Sequence, residues 1–188
     1  MARPRSDEKR SAILAAAVRA IDRHGPGAPT ALIAKEAGVA NGSLFTYFQT
    51  KSALFNALYL ELKRDMAAAA LAGLPAVADL PEQLRHVWSN WMEWAVRAPQ
   101  KRQALARLGV CDEVTVTTRA QAQRIMEELA YRMKPPPARG SMREAPLAFV
   151  AAVMNSVAET TMDFMLTDPA HGEHYCQAGF EAVWRMLS

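Results

Sequence analysis

Residues 30–55 read Thr-Ala-Leu-Ile-Ala-Lys-Glu-Ala-Gly-Val-Ala-Asn-Gly-Ser-Leu-Phe-Thr-Tyr-Phe-Gln-Thr-Lys-Ser-Ala-Leu-Phe. Ile33, Ala34, Ala37, Val39, Leu44 and Phe48 are spaced to close one small core between two short helices. Thr30 stands where an N-cap belongs, its hydroxyl available to an orphan amide of the next turn. The spacing predicts a helix to about Ala37, with Gly38 as its left-handed end. Val39 and Ala40 then lead to a second short helix, from about Asn41 to Phe48. A further stop at Gln49-Thr50 precedes a long amphipathic helix that opens near Lys51 and reaches the low seventies. Upstream, Ile13, Leu14, Ala17, Val18 and Ile21 form one helical stripe with Arg10, Arg19 and Arg23 off it, and Gly25-Pro26-Gly27 ends that helix. The start of the chain is therefore a compact three-helix unit with a tight turn between its last two helices.

Outward from this unit, the rest of the 188 residues is also helical in pattern. Ala, Leu, Met, Glu, Gln and Arg dominate, and helices are predicted at about 82–98, 100–109, 118–134, 144–167 and 173–187. The best strand candidate, Val114 to Thr118, is short and lies between helix-like segments. Pro135 to Ser141 is the clearest loop and Asp168-Pro169 the second. The fold class is all-α. Two domains are expected, 1–50 holding the helix-turn-helix at about 30–48, and 51–188.

Composition narrows the function. An apolar fraction of 51% is too high for a disordered chain. No run approaches about 18 uninterrupted apolar residues, which argues against a membrane span. The charged opening, Met-Ala-Arg-Pro-Arg-Ser-Asp-Glu-Lys-Arg, has no apolar core of a secretory signal, and two cysteines are too few for a disulfide scaffold. A cytoplasmic protein is expected. Charge is distributed unevenly: residues 1–64 carry a net +5 and residues 65–188 a net −2. A basic front on a slightly acidic body suits a polyanionic partner once a motif gives it meaning.

That motif is the pair of helices joined through Gly38-Val39. In a helix-turn-helix the first helix crosses the mouth of the DNA major groove and the second lies in it. Asn41, Ser43, Phe45, Thr46 and Tyr47 then occupy the faces of the reading helix not used by its core. Asn pairs bidentately with adenine, and hydroxyls bond bases or phosphates. Gly42 lets the backbone approach DNA closely, while Thr30 and Lys51, at the starts of the flanking helices, suit phosphate.

Residues 30–55 resemble the DNA-binding domain of TetR-type (TetR/AcrR) transcriptional regulators. The resemblance is carried by Thr30, Ile33-Ala34, Ala37-Gly38-Val39, Gly42-Ser43-Leu44, Tyr47-Phe48, Lys51 and Leu54-Phe55. Two positions depart from the family pattern. Ala40 replaces a frequent Ser, which weakens the cap of the reading helix unless Asn41 takes over, and Phe45 replaces a usual Tyr, removing a hydroxyl. The resemblance implies a homodimeric repressor of two helical domains, released by a small-molecule effector and reading a near-palindromic operator. It implies a dimer interface built from the last two long helices, where Ala151, Ala152, Met154, Ala158, Met165, Phe180, Val183, Trp184 and Leu187 suit close packing.

It also implies that helix 82–98 lines the effector pocket. That helix holds Trp88, Trp91 and Trp94 with Met92 beside them, so an apolar or aromatic effector is one reading and plain core the other. Met126, Tyr131, Met154, Asn155, Glu159 and Met162 are candidates to face them, and Asn155 with Glu159 would orient a polar ligand group or bond across a dimer seam. The run His171-Gly172-Glu173-His174-Tyr175-Cys176 holds metal-ligand types but reads first as a loop and a helix start, so neither metal nor cofactor is expected. Gly-rich phosphate loops, a nucleophile elbow and His-Glu-x-x-His are missing from the sequence, and no enzyme is expected. The alternative is a helical ligand-binding or scaffold protein that no longer recognises a specific operator, a reading kept open by Ala40 and Phe45.

Overall fold

The computed structural model describes residues 3–75, 78–133, 142 and 144–188, and side chains at 7–75, 78–127, 142, 144–146 and 148–188. The loop expected at Pro135 to Ser141 and the side chains of Arg3, Arg5 and Tyr131 lie outside the described residues. Among the described residues every regular element is helical. They are α1 (Arg3–His24), α2 (Thr30–Glu36), α3 (Asn41–Tyr47), α4 (Lys51–Leu71), α5 (Leu80–Arg97), α6 (Pro99–Gly109), α7 (Val116–Met133), α8 (Leu147–Thr167) and α9 (Gly172–Leu187), with a 3-10 turn at Pro169–His171 before the last. The Val114–Thr118 stretch is a turn and a helix start, not a strand.

The chain divides into two compact units, Met1–Asp65 with Ala98–Ile125, and Met66–Arg97 with Met126–Ser188. In the first, Ile13, Leu14, Ala17 and Ile21 of α1 meet Ile33 and Ala34 of α2, Leu44 of α3, and Leu54, Phe55 and Leu58 of α4 in a core from which water is excluded. Helix α6 returns to pack on α1. There Arg107 donates to Ile21 O at 2.7 Å, a second donor on a carbonyl in the last turn of α1 that also accepts from Gly25 N at 2.8 Å. In the second unit α8 and α9 pack on each other and both on α5.

Helices α3 and α4 start at Asn41 and Lys51 as predicted and α8 starts later, at Leu147, whereas α2, α5 and α7 start earlier than predicted because their caps precede the apolar pattern. Pro29, extended at φ −66° and ψ 141°, is the N-cap of α2, so Thr30 is its first helical residue and not its cap. Ala40 caps α3 without a side-chain bond, and Asn41, already helical, does not take over. Thr50 Oγ1 accepts from Ala53 N at 2.9 Å, Asp79 Oδ1 from Glu82 N at 3.0 Å, and Thr115 Oγ1 from Thr118 N at 3.2 Å. Each begins its helix ahead of the first buried residue. Gly38 takes φ +67°, the left-handed value that the turn between α2 and α3 demands.

The connection between α6 and α7 is tied to α4 by two side chains, Asn56 and Ser52. Asn56 Nδ2 donates to Glu113 O at 2.7 Å, and its Oδ1 accepts from Thr115 N at 2.9 Å. Ser52 Oγ also donates to Glu113 O, at 2.7 Å. Asn56→Ala removes both Asn56 bonds, and the expected loss is about 1–2 kcal/mol because two loop groups lose partners while staying near water. Denaturation of the variant measures it; an unchanged midpoint would mean that Ser52 and packing hold this connection without Asn56.

Candidate nucleic-acid interface

Helix α3 turns Leu44 inward, fully buried, with Phe48 just beyond it. Asn41, Gly42, Phe45 and Thr46 face solvent, and Ser43 and Tyr47 are half-buried at the edges of that face. The Thr46 hydroxyl makes a long bond, 3.4 Å, to Gly42 O. The side chains of Thr30, Asn41, Ser43 and Tyr47 take no hydrogen-bond partner among the described residues, which leaves their polar groups for an external one. At Gly42 an added Cβ would meet nothing within 4 Å, so the backbone there is open to approach from outside. Lys51 opens α4 with Nζ 5.3 Å from the centre of the Phe55 ring.

The electrostatics of this face follow from one acidic residue. Between Gly25 and Leu60 the sequence contains only Glu36. Its carboxylate turns toward α1, 3.4 Å from Arg19 Nε and 3.1 Å from Arg23 Nη2, while Arg19 Nη2 donates to Glu36 O. Arg10 similarly pairs with Glu61 at 3.4 Å. Half-exposed pairs of this kind add little stability. What the Glu36 pairs do is turn the one carboxylate of α2 and α3 toward the arginines of α1. Helix α3 itself offers hydroxyls and an amide with no carboxylate to repel phosphate. The Glu36 pairing was hidden in the sequence, where Arg19 and Arg23 are simply residues off the apolar stripe.

The expected effector residues are spread over buried and exposed positions of the second unit. Met92 and Met162 are fully buried and Trp88 nearly so, whereas Trp91 and Met126 are half-buried. Trp88 Nε1 donates to Cys176 O at 2.9 Å, and its ring meets Trp91 edge-on at 6.0 Å. Asn155 and Glu159 are exposed on α8, not gathered with Met162. Several residues expected at the dimer interface serve their own chain: Ala158, Phe180 and Val183 are buried, while Ala151 and Ala152 face out.

The His171–Cys176 run does not converge on a point. Asp168 Oδ2 receives Tyr175 OH and His171 Nδ1, each at 2.9 Å. These bonds, Tyr175 first, hold the Asp168 carboxyl below its ordinary range and raise the Tyr175 phenol. Cys176 turns to Ser89 instead, and burial pushes its thiol up. Among the described residues no three metal-ligating side chains gather.

Comparison with known proteins agrees with this geometry. Residues 13–58, which span α1 to the first turns of α4, match the family model of bacterial regulatory proteins, tetR family. A solved protein from Shewanella sp. PV-4, assigned to tetR transcription regulators, is 26% identical with a TM-score of 0.81, covering 94% of this chain and 96% of its own. A tetR family transcription regulator from Marinobacter aquaeolei VT8 is 23% identical with a TM-score of 0.84, covering 98% of both chains. The TetR-like regulator LfrR from Mycobacterium smegmatis, solved in complex with proflavine, shares the fold at 17% identity and a TM-score of 0.66, covering 96% of this chain and 98% of its own.

Proposed function

We propose that this chain, a member of the tetR family of transcription regulators with a helix-turn-helix DNA-binding segment, is a homodimeric cytoplasmic repressor of a near-palindromic operator, released by a small-molecule effector. The observation that carries the reading is the acid-free helix α3, whose Asn41, Ser43 and Tyr47 side chains take no hydrogen-bond partner among the described residues. Thr30, Asn41, Gly42, Ser43, Phe45, Thr46, Tyr47 and Lys51 form the proposed DNA contact set. Residues 1–50 act as the reading domain and 51–188 as the effector and dimer domain.

A second copy of the chain is supported by α8, which leaves Phe149 55% exposed near outward-facing Ala148, Ala151 and Ala152 in its first turns and Phe164 51% exposed near its end. Large apolar side chains in water favour a partner surface. Exposure of Asn155 and Glu159 on the same helix favours the seam between protomers over the pocket for these two. Trp88, Trp91, Met92, Met126 and Met162 are proposed for the pocket. The proflavine complex of one matched structure supports an aromatic ligand class. Two-fold symmetry would set the reading helices about 34–36 Å apart, one turn of DNA. Effector binding would favour dimers with another spacing, and α4, whose sequence runs on from the contact set at Lys51, would carry the change.

Selection of bound sequences from a random duplex pool at moderate salt tests this. A short inverted repeat is expected. Recovery of salt-sensitive, non-specific binding alone would shift the reading to a helical ligand-binding protein. On a selected duplex, Tyr47→Ala and Lys51→Ala are each expected to weaken binding about tenfold while the dimer persists, Lys51→Ala also flattening the salt dependence. Titration by fluorescence anisotropy and sedimentation measure the two properties. Parent-like affinity in either variant would displace the contact surface.

A further inference from the structure

We infer that Phe45 reads the 5-methyl group of thymine, so that each half-site of the operator carries an obligatory thymine within about two base steps of the adenine bound by Asn41. The inference rests on the proposed DNA-binding role and assigns the base chemistry of that site.

Phe45 is 39% exposed, one of the few large apolar side chains at the surface among the described residues. It shares a helix face with Asn41, four residues earlier, and with Gly42, three residues earlier. A phenyl ring has no hydrogen-bonding group, so it distinguishes bases only through apolar contact. In the major groove of unmodified DNA the thymine methyl is the one apolar group that marks a base. The charged readers of the other two bases are missing from this helix. No Lys or Arg occurs from Asn41 to Thr50, so α3 has no side chain for the bidentate guanine contact, and no Asp or Glu to accept from cytosine. Amide and phenyl together select adenine and thymine. Four residues of helix advance about 6 Å, close to two base steps of about 3.4 Å each.

The test uses the full-length protein and a duplex recovered from the random pool. Each thymine is replaced in turn by deoxyuridine, which deletes the methyl and keeps the pairing. One position per half-site is expected to weaken binding about fourfold when replaced singly and about fifteenfold when replaced in both half-sites, the scale of one methyl burial lost per half-site. Phe45→Ala, an exposed substitution whose folding circular dichroism verifies, is expected to bind thymine and uracil duplexes alike, and Phe45→Tyr to keep the preference. Indifference of the parent protein to every uracil replacement would overturn the inference, as would an undiminished thymine preference in Phe45→Ala. Failure to recover any specific duplex is a separate result and removes the regulator reading itself.

Discussion

A Gly42→Leu chain is expected to fold at least as well as the parent and to bind operator about a hundredfold more weakly, the scale of a displaced base-contact pair in each of two half-sites. The two effects have opposite signs because they arise in different places. Within the chain, a Cβ at Gly42 meets nothing within 4 Å, and the position is an exposed helical one. Replacing glycine by a good helix former there lowers the entropy of the unfolded chain and is worth up to about 1 kcal/mol. In the proposed DNA complex the same side chain would stand between the backbone of α3 and the base edges and would hold Asn41 and Ser43 out of reach. Operator titration and a denaturation curve on the same preparation separate the two. A variant that is stable and still binds like the parent would show that the start of α3 does not approach DNA.

Gly179→Ala is expected to lose about 2–3 kcal/mol of stability, the range of an overpacked core, and so to lower the melting temperature by about 8 °C. Gly179 is buried in α9 where α9 crosses α8 and α5. A methyl group there would overlap Thr161 Oγ1 and stand 2.9 Å from Trp88 Cζ2. Neither neighbour yields freely. Trp88 is held by its bond to Cys176 O at 2.9 Å, and the Thr161 hydroxyl donates to Val157 O at 2.8 Å. Adding Thr161→Ala to Gly179→Ala removes both threonine contacts and is expected to return roughly half of the loss, with the Trp88 contact accounting for the rest. The comparison is made at fixed protomer concentration, since assembly shifts apparent stability. A single variant within about 0.5 kcal/mol of the parent would mean that α9 slides to make room, contrary to the low compliance of a packed interior.

Where the sequence was readable, the signal was local. The 3.6-residue apolar repeat and the turn at Gly38 were enough to place α2 and α3, because helix periodicity and a left-handed glycine are settled within a few residues. Helix starts were read less well. Thr50, Asp79 and Thr115 cap α4, α5 and α7, yet apolar periodicity begins only at the first buried residue and so placed the starts of α5 and α7 too late. The start of α2 was likewise placed one residue late, because Pro29 took the cap position expected of Thr30. In the candidate site, the exposed set on α3 was legible as whatever the little core did not use. The neutralisation of Glu36 was not, because its partners Arg19 and Arg23 lie 17 and 13 residues away on another helix.

The sequence by itself determined an all-helical chain, the helix-turn-helix and the acid-poor composition around it, since each depends on neighbours within a turn or two. Only the tertiary structure decided that residues 98–125 return to the first unit, that Asn56 clasps the connection before α7, and that α9 needs a glycine between Thr161 and Trp88. It also decided that Trp88 spends its indole N–H on its own chain and that Asn155 and Glu159 face outward. These are outcomes of packing between segments tens of residues apart. Such pairings are chosen by the shape and burial of whole faces, and no short window of sequence carries that information.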